Sequence, residues 1–514
     1  MTLTDILLSI LGPDSATVST AGASDDVSVR GEARLLIDGR LVEARSGAAF
    51  HNIDPTTEHV LGEVSDAGVE DVRLAIEAAR RAFDSDVWAA PEFRRTCLIQ
   101  LQQALQRNAV EFREALIHEI GCPRRMTFAD QYDYAVDKLG FYTELLSHHD
   151  WRSEHPADQV PGATVTKSSR QMPVGVVSAI TPWNLPVELI LAKVGGALAA
   201  GCTMVIKPSP LAPWAGTLLG RLIAEETDIP AGVVNVIASS QIDSGIELTR
   251  HPAVDAIAFT GSTATGRSVM AAAAQGLKRV SLELGGKSAA IILDDLDIEM
   301  MLPVMSGMAC FNSGQSCIMP SRMLVPADRL EECLSAAAAG MDAVTIGDPR
   351  SVDTFMGPLI SSDQRSRVES MVAEAVAAGA RVVHGGGRPD HLERGHFVEP
   401  TLLTEVPSDA RVVREEVFGP VVCVIPYRDV DEAVRIANET EFGLAGYVWS
   451  SSPERAEDVG RRLRAGMIGI NGGMFTSGDM PFGGVKASGM GREWGVEGMA
   501  EFLDTQTMAV RRPL

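Results

Sequence analysis

The sequence predicts an α/β protein with more than one domain. Short apolar runs alternate with helical patterns between Val174 and Phe259, and a second series of the same kind follows Gly286. Such alternation indicates parallel sheets covered by helices on both faces. A length of 514 residues also exceeds what one hydrophobic core usually organises, so two or three domains are expected.

Met1 to Pro13 carries an apolar segment, Ile6 to Leu11, preceded by Asp5 and by no basic residue, so export is not expected. Residues 14–34 are rich in Ser, Ala, Thr and Val without a sustained period, and residues 1–34 read as a flexible extension. Leu35 to Val42 reads as a hairpin around Asp38-Gly39, a common turn dipeptide. Val69 to Phe83 puts Val69, Val72, Ile76, Ala79 and Phe83 on one helical stripe, with Glu70, Asp71, Arg73 and Arg80 outside it. Further helices are expected over Pro91–Asn108, Ala109–Glu119 and Phe128–Leu146.

The pattern then becomes a strand at Val174–Ile180, a helix at Pro186–Ala200, a strand at Thr203–Ile206, a helix at Trp214–Glu226 and strands at Val233–Ile237 and Ala256–Phe259. Ligands bind beyond the carboxyl ends of such strands. Thr181-Pro182-Trp183-Asn184, Lys207-Pro208-Ser209 and Thr260-Gly261-Ser262-Thr263 stand there. The Gly-Ser turn opens a helix, where free N–H groups and the dipole favour a phosphate, although a glycine turn without G-x-G-x-x-G is more often only a turn. After Gly286 come a strand at Ala289–Leu293, a helix at Met300–Asn312, a strand at Arg322–Pro326, helices at Ala327–Met341 and Ser366–Ala378, and a strand at Arg381–Val383. The joint near Gly285-Gly286 places an active site between domains.

Composition narrows the function. Hydrophobic residues make up 45%, charged residues 22% and aromatics 5%, as in a globular enzyme, and a formal charge of −23 argues against nucleic acid or an anionic membrane surface as partner. The longest uncharged stretch, Met300–Ser321, contains Pro303, Ser306, Asn312, Ser313, Gln315 and Ser316, so it reads as a buried helix and loop rather than a membrane span. Seven scattered cysteines form no C-x-x-C pair and no metal-ligand spacing, which fits a reducing, cytoplasmic compartment without a bound metal. An ordinary cysteine is a small buried apolar residue. Cys317 departs from that pattern because Gly314-Gln315-Ser316 precede it, whereas Cys310 lacks that loop chemistry and reads as core. Glu283, 34 positions earlier in Glu-Leu-Gly-Gly, offers a carboxylate to match it. A thiolate can add to a carbonyl carbon and a carboxylate can activate the water that releases the acyl group, so the pair suggests thioester chemistry.

In order, the chain contains TPWN (181–184), IKPS (206–209), FTGST with Gly266, LELGGKS (282–288), GQSC (314–317), EEVFGP (415–420) and PFGGVKASGMGRE (481–493). From about residue 35 to its end it thereby resembles the NAD(P)-dependent aldehyde dehydrogenase superfamily. The resemblance implies a Rossmann-type cofactor domain from residues 35–150 and 174–285, an α/β catalytic domain from 286–495, and a small β oligomerisation element from 151–173 and 496–514. It implies that Cys317 is the nucleophile, that Asn184 and the Cys317 N–H form the oxyanion hole, and that Glu283 activates water against the thioester left after hydride transfer. Lys193 matches a supporting lysine near the catalytic centre. Trp183 and Ser262 match pyrophosphate ligands, Lys207 the ligand of the adenosine ribose, Glu416 that of the nicotinamide ribose, and Phe418 a residue packing on the nicotinamide. Ile180, Gly261 and Gly266 fall at other cofactor-binding positions.

NAD is the implied cofactor, with NADP tolerated, because Pro210 stands where strongly NAD-preferring members often carry a glutamate that would repel a 2′-phosphate. By family position Leu185, Glu188, Leu189, Ile318 and Gly473-Met474-Phe475 approach the aldehyde, which suggests an apolar aliphatic or aromatic substrate. Glu283 argues against a coenzyme A-acylating relative, and a semialdehyde would need a cation such as Arg322 near Cys317. Alternating residues 151–173 and Thr505–Arg511 suit edge strands that pair between subunits, so a homodimer or homotetramer is implied.

Overall fold

The computed structural model describes residues 2–13, 31–473 and 475–513. Its first sheet has eight strands in the order Gly489–Met490, Arg279–Glu283, Ala256–Thr260, Val176–Ile180, Thr203–Lys207, Val234–Val236, Leu35–Ile37 and Arg40–Val42. The middle five are parallel, and Thr203–Lys207 and Ala256–Thr260 are buried at every position, as expected of strands covered on both faces. Strand order reverses beside Val176–Ile180, so the crevice beyond the carboxyl ends of Val176–Ile180 and Ala256–Thr260 is the topological switch point. The edge hairpin Leu35–Val42 turns through Asp38 (φ 52°) and Gly39 (φ 72°), the left-handed pair that a two-residue hairpin requires.

The second sheet has seven strands, in the order Arg381–His384, Thr401–Thr404, Val421–Tyr427, Arg322–Pro326, Ala289–Ile292, Ala445–Trp449 and Met467–Ile470. All neighbours are parallel except Arg381–His384 with Thr401–Thr404. The division at Gly285-Gly286 is not absolute. Gly489–Met490 returns to pair with Leu282 and Glu283, tying the far end of the chain to the strand that carries Glu283. A separate three-stranded sheet consists of Arg152–Val160, Ala163–Pro173 and Leu503–Pro513. Its last strand begins after a short helix, Gly495–Ala500, that packs on Pro186–Ala200.

Tertiary contacts redraw three expected elements. The helix expected over Phe128–Leu146 is a 3-10 turn at Arg124–Phe128 followed by a helix at Asp133–Leu145, because Gln131 between them is drawn into the interior. The helix expected at Met300–Asn312 runs over Ile298–Met308, started by the Asp297 carboxylate, which accepts the Met300 N–H. The expected extension contains a docked helix, Leu3–Ile10, with Thr2 and Asp5 forming a capping box and Leu7 and Leu11 buried; residues 14–30 lie outside the described residues. Among the described residues no helix is long and apolar enough to cross a membrane.

Glu119 fixes the helix that follows Lys207. Its buried carboxyl group accepts the N–H groups of Trp214 (3.0 Å) and Ala215 (3.1 Å), at the start of Pro213–Glu226, and the Asn52 amide (3.0 Å). Burial pushes this carboxyl group up to about 7. Glu119→Ala leaves three donors without their acceptor, at about 1–3 kcal/mol each where they stay buried. A lower apparent unfolding temperature is the expected outcome, measured by differential scanning fluorimetry.

Candidate active site

Cys317 stands on a loop held in an uncommon backbone conformation. Asn312 (φ 50°, ψ 36°), Ser313 (φ 57°, ψ 31°) and Gly314 (φ 70°) are successive left-handed residues, which cost non-glycine residues about 1–2 kcal/mol each. Buried hydrogen bonds hold them there. Asn312 donates its amide to Asn184 O (2.9 Å) and Gln315 O (3.1 Å), Ser313 Oγ donates to Gly357 O (2.9 Å), and Gln315 Oε1 accepts the Ile360 N–H (2.9 Å). Cys317 alone among the seven cysteines is partly exposed.

Asn184 comes to this loop from the turn after Val176–Ile180. Its Nδ2 donates to Gln315 O at 3.0 Å, and Gln131 Nε2 donates both to Asn184 O (2.9 Å) and to Asn312 Oδ1 (3.1 Å). The second hydrogen of the Asn184 amide and the Cys317 N–H find no acceptor among the described residues. Two free donors therefore remain on the Cys317 loop and the Asn184 turn that meets it, the kind of donors that an oxyanion hole requires.

Glu283 ends the strand Arg279–Glu283, and its buried Oε1 has no partner among the described residues. Burial and the nearby Glu493 carboxylate push its carboxyl group up to about 8, while the Cys317 thiol and the Lys193 ammonium pull it down. Burial, then Glu283 and Glu416, likewise hold the Cys317 thiol well above its ordinary value. Lys193 is fully buried rather than solvated. It donates to Thr260 Oγ1 (2.6 Å) and Glu493 Oε1 (2.5 Å). The sequence by itself assigns no role to Glu493, at the end of the 481–493 motif, or to Gln131 and Asn312. An acidic residue after Gly-Met-Gly-Arg was the only local signal for Glu493; no spacing rule reaches Gln131.

The residues assigned to a cofactor gather around the crevice. Ser262 caps the helix Thr263–Ala274, and the Gly261 N–H donates to Glu283 O at 3.1 Å. A Cβ at Gly266 would lie 2.5 Å from Leu284, so this glycine permits close packing of helix on strand. Lys207 Nζ donates to Ser239 O (2.8 Å), and burial lowers its ammonium to about 8. Ile180 ends the central strand, and the Trp183 and Phe418 rings meet edge to face at 5.4 Å. Phe418 itself has φ 59°, held by Gln364 Nε2 on its carbonyl at 2.8 Å. Glu416 accepts the Gly286 N–H at 3.0 Å, and burial pushes its carboxyl group up to about 7.

Gly285 and Gly286 let these parts approach one another. A Cβ on Gly285 would strike the Glu416 carboxylate, and one on Gly286 the Cys317 carbonyl oxygen. Gly286, Cys317, Glu416 and Phe418 line one cavity. Free helix-end donors, a buried lysine and, in the cavity of the thiol, a buried carboxyl group are groups that fit a dinucleotide.

Among the residues expected to approach an aldehyde, Phe475 packs with Leu444, Cys317 and Ile318, and Leu189 is buried, while Met474 lies outside the described residues. Leu185 is half-buried. Glu188 is tied to Lys138 Nζ (2.6 Å) and Trp494 Nε1 (3.0 Å). Lys138 also lines a cleft of about 520 Å³ with Tyr134, Phe141 and Ser477. Arg322 does not serve this site. Its guanidinium donates to the carbonyls of Lys287, Ile436 and Ala437 at 2.8–3.0 Å and is spent on holding the loop after Gly286.

Comparison with known proteins shows the family and the fold. The model of the aldehyde dehydrogenase family matches residues 41–508. The chain is 41% identical over 476 residues to 3-succinoylsemialdehyde-pyridine dehydrogenase of a Pseudomonas species, covering 92% of this chain and 97% of that protein. It is 38% identical to geranial dehydrogenase of Castellaniella defragrans, over 91% of this chain and 96% of that one. Among solved structures, aldehyde dehydrogenase C of Pseudomonas syringae, a cysteine-to-alanine mutant in complex with NAD+ and octanal, superposes with a TM-score of 0.88 at 36% identity, covering 95% of this chain and 98% of that chain. A match that covers all but the first edge of the two large sheets, with relatives of this identity along nearly the whole length, shows that the chain belongs to the aldehyde dehydrogenase family.

Proposed function

We propose that this protein oxidises an apolar aliphatic or aromatic aldehyde to its carboxylic acid with NAD+ through a thioester on Cys317. One observation carries the reading: the buried Glu283 carboxyl group, whose Oε1 has no partner among the described residues, lies beside the Cys317 thiol, with two free donors on the adjoining loops. The Cys317 thiol releases its proton to solvent and its sulfur bonds to the aldehyde carbon as the carbonyl π pair moves onto oxygen; Asn184 Nδ2 and the Cys317 N–H hold the resulting oxyanion. Bound NAD+ supplies the two-electron acceptor. Glu283 then takes a proton from water as the water oxygen bonds to the acyl carbon, and the carbon–sulfur bond breaks to return Cys317. The Lys193 ammonium favours the carboxylate form of Glu283, and the Glu493 carboxylate paired with it opposes that effect.

Ser262, Gly261 and Trp183 serve the pyrophosphate in this reading, Lys207 and Glu416 the two riboses, and Phe418 the nicotinamide, with Ile180 and Gly266 shaping the crevice. Residues 286–495 supply the catalytic domain. The complex of NAD+ and octanal with the Pseudomonas syringae relative supports both the cofactor and an apolar substrate, and Pro210 leaves room for NADP. A semialdehyde is the second reading, favoured by the name of the Pseudomonas relative. Arg322 offers no carboxylate site for one. Subunits pair through the strand Leu503–Pro513, exposed along almost its whole length, into a homodimer or homotetramer. Seven free cysteines suit a reducing cytoplasm.

The test is an aldehyde panel followed by nicotinamide absorbance, with NAD+ or NADP+ and with or without coenzyme A. Apolar aldehydes and NAD+ should give the highest kcat/KM, without dependence on coenzyme A; no reduction of either cofactor would sink the reading. Asn184→Ala is expected to lower kcat by about 10²- to 10³-fold. Stopped-flow measurement of the first turnover should place that loss in acylation.

A further inference from the structure

We propose that the amino-terminal segment is an intramolecular clamp that positions the Cys317 loop. The segment lies outside the family match, which begins at residue 41. Two routes lead from it to the same catalytic support.

The first route runs through Leu7. This fully buried side chain packs on Gly307, where a Cβ would lie 2.7 Å from Leu7 Cδ1. Gly307 is in the last turn of Ile298–Met308, and the left-handed residues Asn312 and Ser313 follow within six positions. Thr4 Oγ1 secures the amino-terminal helix by donating to Ala343 O (3.1 Å), at the end of the neighbouring helix Leu330–Asp342. The small residue at 307 therefore lets an otherwise remote helix press on the element that leads into the nucleophile loop.

The second route runs through Gly12 and Pro13. Gly12 has φ 148°, and a Cβ there would strike Arg125 O; Arg125 Nη1 in turn donates to Pro13 O at 3.1 Å. Arg125 belongs to the turn Arg124–Phe128, whose Met126 carbonyl accepts the Gln131 N–H at 3.1 Å. The Gln131 side chain then bonds both Asn184 O and Asn312 Oδ1. Both routes thus converge on Asn312, whose left-handed conformation sets where Cys317 faces Asn184.

The clamp rests on the reading of Cys317 as nucleophile, but its test also has a readout independent of turnover. In the full-length protein, Leu7→Ala and Gly12→Val are compared with the parent by the rate of Cys317 alkylation with iodoacetamide, by kcat, by KM for NAD+ and by thermal unfolding. The other six cysteines are buried, and Cys317→Ala supplies the blank. Each variant should change the alkylation rate by about threefold or more and lower kcat by roughly tenfold, on the scale that small misplacement of reacting groups costs. KM for NAD+ should stay within about twofold, because the cofactor residues are not on either route, and Leu7→Met should restore the parent rates by refilling the contact. The double variant should fall short of the product of the single effects, since both act through Asn312. Should Leu7→Ala fail to fold, Leu7→Val carries the same comparison. Variants that lose thermal stability yet keep the parent alkylation rate and kcat would overturn the clamp and leave the helix as a stabiliser only. A parent that turns over no aldehyde would refute the catalytic reading while the alkylation rates still decide the clamp.

Discussion

Replacing Cys317 by Ala is expected to reduce turnover by on the order of 10⁴-fold or more, the scale of loss when a covalent nucleophile is removed. The other six thiols are buried, and none of them shares the cavity with Gly286, Glu416 and Phe418, so no neighbour can substitute. Fold and cofactor binding should survive. The side chain is small, and the loop is held by the hydrogen bonds of Asn312, Ser313 and Gln315 rather than by the thiol. Unchanged stabilisation by NAD+ in a thermal-shift assay, together with absent aldehyde oxidation, checks both halves. Residual turnover at one-tenth of the parent rate would remove Cys317 from the role.

Glu283→Gln should separate the two chemical stages. The carboxylates of Glu283 and Glu416 help to hold the Cys317 thiol in its protonated form, so removing the Glu283 charge shifts the thiol downward and leaves acylation intact. Deacylation loses its base and should slow by about 10²- to 10⁴-fold. Rapid mixing should then show a burst approaching one reduced cofactor per active subunit, followed by slow turnover. A pH dependence follows from the same group. Glu283 is raised to about 8 and acts only when ionised, so deacylation in the parent should rise as pH increases through about 8 and then level off. That rise should vanish in Glu283→Gln. Parent-like steady-state turnover in this variant would eliminate Glu283 as the base.

Much of this site was legible because its signals are local. The Asp38-Gly39 turn, the buried strands and the turns after them follow from backbone preference and apolar period, which a few neighbouring residues express. Cys317 stood out by its glycine-containing loop, and Glu283 by the glycines behind it. Their setting was less visible. Lys193 lies on a helix, where a lysine is ordinarily solvated, and nothing near it points to its partner, because Glu493 lies 300 positions away and meets it only when the chain returns to the first sheet. Arg322 was open as a substrate ligand until its hydrogen bonds to main-chain carbonyls accounted for its donors.

The sequence alone therefore determined the α/β class, the succession of elements in the first sheet and the candidate groups for acyl chemistry, while four strands of the second sheet, from Thr401–Thr404 to Met467–Ile470, were not anticipated. Tertiary structure decided their state: that Glu283 is buried and raised, that Lys193 is paired, that Gln131 breaks a helix to reach Asn184, and that Leu7 packs on Gly307 and Gly12 on Arg125. The reason is physical. Periodicity and turn chemistry depend on residues a few positions apart, whereas charge state, desolvation and strain depend on which distant surfaces close over a group.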